Sequence, residues 1–367
     1  MKKISLIFFA TVAAMAATCC VAQTPGYTIT GTVENALDGD SVTLCEAIRG
    51  ELSPLERTVV KGGKFTFKGR QDEAVPRYIT AKIAGRDQIL DFFLENGNIA
   101  VSLGANKVSA TGTPNNDVQE RIRQDVDRAI ADINQSYAYL RDTTLTAEQR
   151  AAGEQRVRDC EAAYYATLKR CTKENISNIA GVSLFKQFYR DNTLEENDSL
   201  LRQVPAQFQN DRTIQTIRGR VENGLKTKVG QKFTDFEMTD IEGAPARLSD
   251  FAGKGKLVLV DFWASWCGPC VHEMPTIVEA YAKYKDRGLE IVGVSLDEDA
   301  DSWKQAVKRL KMTWPQLSDL KGWRSTAAQR YAVNSIPHTV LIDAEGNIID
   351  RNLRGPQLLA RLAASLP

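Results

Sequence analysis

The sequence predicts a multidomain protein: an N-terminal all-β, sandwich-like domain, a helical middle segment and a C-terminal α/β domain. Three observations predict it. Up to about residue 113, short runs of alternating apolar residues lie between turn residues. From about 116 to 225, apolar residues recur every three or four positions. From 256 onward, continuously apolar runs alternate with helical patterns. A length of 367 residues fits two to three domains at roughly 150 residues each.

The first 22 residues read as an export signal. Lys2 and Lys3 form a basic start, Ile4 to Ala17 is uncharged and largely apolar, and Cys20-Val21-Ala22 puts small residues at −3 and −1 of a cut after Ala22. That cut removes both lysines and takes the formal net charge from +1 to −1. Two other fates also export the chain: lipidation at Cys19 or Cys20, although Ala16-Ala17-Thr18 lacks a large aliphatic residue three before Cys19, and retention of the segment as an anchor. Cleavage implies a periplasmic protein. The other two attach it to the membrane through its N-terminus.

Residues 23–113 carry the β pattern. Strands are expected at Tyr27–Val33, Asp40–Cys45, Lys64–Phe67, Arg77–Ile83, Ile89–Leu94 and Asn98–Leu103. Turns fall at Leu37-Asp38-Gly39-Asp40, Gly62-Gly63 and Glu95-Asn96-Gly97-Asn98. Turns every 8–15 residues suit a sandwich or small barrel.

Residues 114–227 read as helical. Thr113-Pro114-Asn115-Asn116 can cap a helix whose apolar face is Val118, Ile122, Val126, Ile130 and Ile133, extended by Tyr137 and Leu140. A second helix is expected from Thr146-Ala147-Glu148-Gln149 to about Glu174, and shorter ones to Leu225. Cys160 and Cys171 are eleven residues apart, about 16 Å along an unbroken helix, too far for one to bridge the other. Both read as small core residues. The charged residues form a solvated face, and no basic cluster interleaved with aromatics suggests nucleic acid. The net charge of +1 gives no global field toward nucleic acid or anionic membrane. After residue 22 no apolar run of about 18 residues could span a membrane. Apolar and charged fractions of 43% and 25% exclude a disordered chain, and seven cysteines are too few for a disulfide-stapled scaffold.

Residues 228–367 carry the α/β pattern. Lys256–Trp263, Leu289–Leu296 and Thr339–Asp343 are buried-strand runs, and all five tryptophans lie in this region. The first run leads directly into Trp266-Cys267-Gly268-Pro269-Cys270, after which Met274, Ile277, Val278 and Tyr281 share a helical face. A cysteine at a helix N-terminus sits near unsatisfied N–H groups and the positive end of the dipole, which favours its thiolate. The second cysteine follows about one turn later, close enough to bond to the first. Gly268 and Pro269 fit the tight entry.

These residues carry a resemblance. From about 228 to 367 the chain resembles the thioredoxin-fold module of TlpA/ResA-type exported thiol–disulfide oxidoreductases. The matching positions are Phe262–Cys270, Glu273, Pro275, Gly293–Asp297 and Tyr331–Pro337, followed by Thr339–Asp343 and Gly346. The preceding β and helical regions resemble the domain of unknown function often found ahead of such modules. The resemblance implies disulfide exchange with no cofactor beyond a redox-active Cys267–Cys270 pair: Cys267 attacks a substrate disulfide as thiolate, and Cys270 resolves the mixed disulfide. This requires Cys267 exposed and Cys270 more buried. Asp261 matches the buried acid of thioredoxin and Glu273 the acid near the site in the ResA-like branch; the presence of both departs from either pattern. Either could take a thiol proton, whereas the plain alternative is a strand-end acid and a solvated helix acid. Trp266, Gly268, Pro269, Ile336 and Pro337 are expected to meet substrate, with Ile336-Pro337 cis. The implied partners are exported proteins with disulfides or dithiols, such as apocytochromes, and a membrane thiol carrier as electron donor.

Three rival functions stand beside this one. Cys267, Cys270, His272 and His338 are soft ligands, but structural zinc usually takes a second C-x-x-C or a spaced His pair, and no metal is expected. A peroxiredoxin needs Thr or Ser three residues before its cysteine, where this chain has Ala264. A binding or scaffold protein could carry the redox module as an accessory.

Overall fold

The computed structural model describes residues 26–83, 85–105 and 107–366; the export signal expected over 1–22 lies outside them. Two compact units divide between Val157 and Arg158.

The first unit opens with eight strands: β1 (Tyr27–Val33), β2 (Ser41–Ile48), β3 (Glu51–Val59), β4 (Lys64–Gly69), β5 (Val75–Ile83), β6 (Arg86–Leu94), β7 (Gly97–Leu103) and β8 (Val108–Thr111). They form two four-stranded sheets, ordered β4-β1-β7-β8 and β3-β2-β5-β6. All neighbours are antiparallel except β1 and β7, which run parallel with Ile29 beside Ile99. One core fills the space between the sheets. Ile29, Phe65, Phe67, Ile99, Val101 and Leu103 enter it from the first sheet, and Val42, Leu44, Ile79, Leu90 and Phe92 from the second. The alternating apolar residues therefore point inward and the intervening polar ones outward.

Helix α1 (Pro114–Leu140) follows, with Thr113 as N-cap. Asn116, nearly fully buried, holds it to the sheet: its amide oxygen accepts from Phe93 N–H at 2.9 Å and its amide nitrogen donates to Phe93 O at 2.8 Å. The apolar face expected on α1 is only half-buried, and Ile130 is exposed. At about 1.5 Å per residue a helix of 27 residues outruns any strand of the sheet, so its anchoring falls to polar groups in the first two turns.

Helix α2 (Ala147–Asn175) crosses from the first unit into the second. Thr146 and Gln149 cap it reciprocally: Thr146 Oγ1 accepts from Gln149 N–H and Gln149 Oε1 from Thr146 N–H. The helical stretch is thus not a unit of its own. Cys160 (half-buried) and Cys171 (buried) both lie on α2. Three further helices, α3 (Ile179–Phe188), α4 (Leu194–Leu201) and α5 (Arg212–Lys226), pack in the second unit around Phe185, Leu201, Ile214, Ile217 and Val221.

The rest of the second unit is an α/β domain. Its strands are β9 (Glu237–Asp240), β10 (Pro245–Arg247), β11 (Leu257–Trp263), β12 (Leu289–Ser295), β13 (Gln316–Ser318), β14 (His338–Ile342) and β15 (Ile348–Arg351). Its helices are α6 (Gly268–Tyr284), α7 (Ala300–Arg309), α8 (Thr326–Arg330) and α9 (Gly355–Ser365). The strands form one sheet in the order β10-β9-β13-β12-β11-β14-β15. β11 lies in its interior, every residue of it buried, parallel to β12 and antiparallel to β14. β11, α6 and β12 make one strand–helix–strand crossover, so α6 starts at the C-terminal end of β11, where open α/β sheets place their sites.

Candidate active site

Ala264 to Cys267 join β11 to α6. Cys267 is the N-cap: its Sγ accepts from Cys270 N–H at 3.2 Å. The two cysteines are joined in a disulfide, with Cα atoms 5.3 Å apart. Pro269 stands in the first turn, where a missing N–H costs nothing. The order of burial follows expectation, Cys267 at 5% exposure and Cys270 at 1%, but the expectation of an exposed Cys267 does not hold in this bridged state. The bridge and the Cys270 N–H hold its sulfur against the helix. Around it Trp266, Gly268 and Pro269 are exposed.

A residue that sequence reasoning left without a role shapes this loop. Asp297 is nearly fully buried just past β12, where hydrogen bonds offset the cost of taking a carboxylate out of water. It accepts from Ser265 N–H (3.0 Å), Ser265 Oγ (2.5 Å) and Ser295 Oγ (2.7 Å), and so fixes the turn before Cys267. The available signal was a charge ending the apolar run Leu289–Leu296. Below the loop, Trp263 Nε1 donates to Gln316 Oε1 at 3.1 Å. Gly293 makes room for that amide: a Cβ there would stand 2.2 Å from Gln316 Oε1.

The register of β14 on β11 pairs Phe262 with His338, which sets Pro337 at the end of the sheet where the cysteine loop begins. The Ile336–Pro337 bond is cis, Pro337 is buried and Ile336 half-buried. The Pro337 carbonyl accepts from Arg354 Nη2. His338 packs its ring edge on Phe262, and its Nε2 lies 3.2 Å from Arg351 Nη2. Burial first, then the charges of Arg351 and Arg354, push the imidazole down to about 3, so it stays neutral. His272 faces solvent on α6. The four soft ligands weighed for zinc are not gathered, and the described residues hold no group of three or more His, Cys, Asp or Glu arranged for a metal.

Asp261, on β11 beside Thr339 of β14, is nearly fully buried, and neither carboxyl oxygen accepts a hydrogen bond from a described residue. Burial, then the nearby Glu273 carboxylate, raise it to about 7, against the opposing pull of Arg354. Glu273 sits three residues after Cys270, on the same face of α6. It is half-buried, and its Oε1 accepts from Gly355 N–H at 2.8 Å, at the start of α9. The two acids singled out from sequence are therefore electrostatic neighbours, and Arg354, which sequence reasoning passed over, acts on Asp261 through its charge and donates to the Pro337 carbonyl.

A cysteine pair bridged at a helix N-terminus, on an interior strand flanked by a cis-proline strand, defines a thioredoxin-like protein of thiol–disulfide chemistry. The comparisons agree. Residues 229–351 match the AhpC/TSA family, and residues 27–119 match a domain of unknown function, DUF4369. The thiol-disulfide oxidoreductase ResA of Bacillus thuringiensis subsp. konkukian is 36% identical over 137 residues, covering 37% of this chain and 76% of the relative. ResA of Geobacillus kaustophilus is 38% identical over 120 residues, 33% of this chain and 66% of the relative. Among solved structures, the thioredoxin domain of a thiol-disulfide oxidoreductase from Bacteroides vulgatus is 34% identical with a TM-score of 0.36, covering 38% of this chain and 99% of that one. The chain belongs to the ResA-type family of thiol-disulfide oxidoreductases.

Proposed function

We propose that the protein reduces disulfides of exported partner proteins through Cys267 and Cys270. The observation that carries this is the closed Cys267–Cys270 pair at the start of α6. In the dithiol form, the Cys267 thiolate attacks one sulfur of the substrate disulfide and expels the other as a thiol. The Cys270 thiolate then attacks Cys267 in the mixed disulfide, closing the bridge and releasing the second substrate thiol. Two electrons and two protons pass to the substrate. The bridge is reopened by an external dithiol, for which a membrane thiol carrier is the donor we infer. No further cofactor and no metal enter the cycle.

Asp261 is the base we assign to Cys270. Its carboxyl titrates near neutrality on the strand that leads into the cysteine loop, within electrostatic range of Glu273, which lies three residues after Cys270 on α6. Glu273 sets the charge that Asp261 feels. Trp266, Gly268 and Pro269 form the rim that substrate meets, and the Ile336 backbone offers a strand partner beside Pro337. The location that fits is extracytoplasmic, released after a cut behind Ala22 or held by lipid or anchor at the N-terminus. Among the described residues no helix is long and apolar enough to cross a membrane.

The test is a pair of variants assayed against a disulfide-bearing protein. Cys267→Ser abolishes turnover, and Cys270→Ser accumulates a mixed disulfide that reducing agent dissolves. Turnover by Cys267→Ser contradicts the assignment.

A further inference from the structure

Beside the bridge, Ser265, Trp266, Asp297, Glu298, Asp299 and Trp323 line a groove of about 390 Å3. Three of the five tryptophans are buried; the two exposed ones, Trp266 at 55% and Trp323 at 47%, face this groove with ring centroids 6.4 Å apart and planes tilted by 56°. Large aromatic faces left in water beside a reactive sulfur mark a binding surface.

The charges there have one sign. Asp297 is committed to the cysteine loop, and Asp299 caps α7, its Oδ2 accepting from Ser302 N–H at 2.8 Å. Glu298 is exposed and has no hydrogen-bond or ion-pair partner among the described residues. Its carboxylate lies against the turn that carries Trp323. Gly322 there has φ +56°, and a Cβ on it would stand 2.5 Å from Glu298 Oε1. No lysine or arginine lines the groove, and nearby Lys321 lies 4.0 Å from Asp319.

An apolar side chain seated here would strip water from Glu298 and offer it nothing in return. A carboxylate would be repelled. A lysine or arginine suits both the charge and the aromatic faces, its cation against Glu298 and Asp299 and its body or guanidinium plane on the outer faces of the indoles. We propose that this groove docks a cationic side chain that the partner polypeptide carries close to its attacked cysteine. The inference rests on the reductase reading above and adds to it the class of substrate sequence preferred.

Synthetic peptides with one internal disulfide and Arg, Ala or Glu placed two residues to either side of the attacked cysteine test it, read as kcat/KM. The full chain should prefer Arg over Glu about tenfold in one of the two placements, the combined size of an exposed cation–π contact and a surface ion pair. Trp323→Ala and Glu298→Gln should each shrink that ratio, and Glu298→Lys should reverse it. A small uncharged disulfide is run in parallel with the wild-type chain. If that disulfide turns over but the peptides react alike, or if Glu298→Lys leaves the preference unchanged, the groove has no such role. If the wild type turns over neither, the reductase reading itself fails and the groove proposal falls with it.

Discussion

Replacing Asp261 with asparagine keeps the shape of the side chain and removes its charge. The wild-type carboxyl titrates at about 7 in the folded protein, against an ordinary value of 3.8. For an acid with a raised folded value, the unfolded chain releases its proton first. Stability is then full below about pH 4 and is lost as the pH climbs through 7. A displacement of about 3 units at about 1.4 kcal/mol each makes the loss about 4 kcal/mol once the group is ionised. Asp261→Asn escapes it. The variant should match the wild type near pH 4 within about 1 kcal/mol and exceed it by about 4 kcal/mol at pH 8.5. The assay is urea unfolding of the oxidised proteins across that range, followed by tryptophan fluorescence. All five tryptophans lie between residues 263 and 323, so the signal reports the thioredoxin-like domain alone. A stability difference that stays flat from pH 4 to 8.5 would refute the reasoning, because it would mean that Asp261 ionises in the folded chain as easily as in the unfolded one.

Other perturbations follow from the same contacts. Glu273→Gln removes the charge that helps hold Asp261 up, so, with Asp261 as the proposed base, the pH–rate profile for disulfide reduction should move to lower pH; an unmoved profile would separate the two acids. Asp297→Ala leaves the Ser265 N–H and the Ser265 and Ser295 hydroxyls without their acceptor, and should destabilise the domain by about 2–4 kcal/mol and slow turnover; loss of neither would contradict its role in the cysteine loop. Arg351→Met removes a charge that keeps His338 neutral, so the imidazole should titrate at a higher pH when followed by NMR. Phe185→Ala opens a cavity in the core of the α3–α5 helices and should cost about 3–5 kcal/mol in unfolding experiments.

What the sequence made legible follows from which residues must be buried. β11 reads directly because all seven of its residues are buried, so nothing interrupts the apolar run. β1 and β7 read directly because one face meets the sandwich core and the other meets water. β3 escaped because it is an edge strand, exposed along most of its length and carrying Pro54, so it shows neither alternation nor continuity. β8 escaped because four residues are too few to show a period. The reactive pair was legible because its spacing and the helix entry are local in the chain. Arg354, Asp297 and Trp323 were not, because their neighbours arrive through sheet register and through the start of α9, which local pattern does not encode.

The central claim is tested most directly by counting thiols at positions 267 and 270. The protein is alkylated after exposure to excess dithiol and, separately, after oxidation, and the peptide that spans both cysteines is weighed by mass spectrometry. The account predicts two alkyl groups on that peptide in the first sample, none in the second, and recovery of the unlabelled form when the reduced protein meets a stoichiometric disulfide substrate. The same labelling in both samples would contradict it.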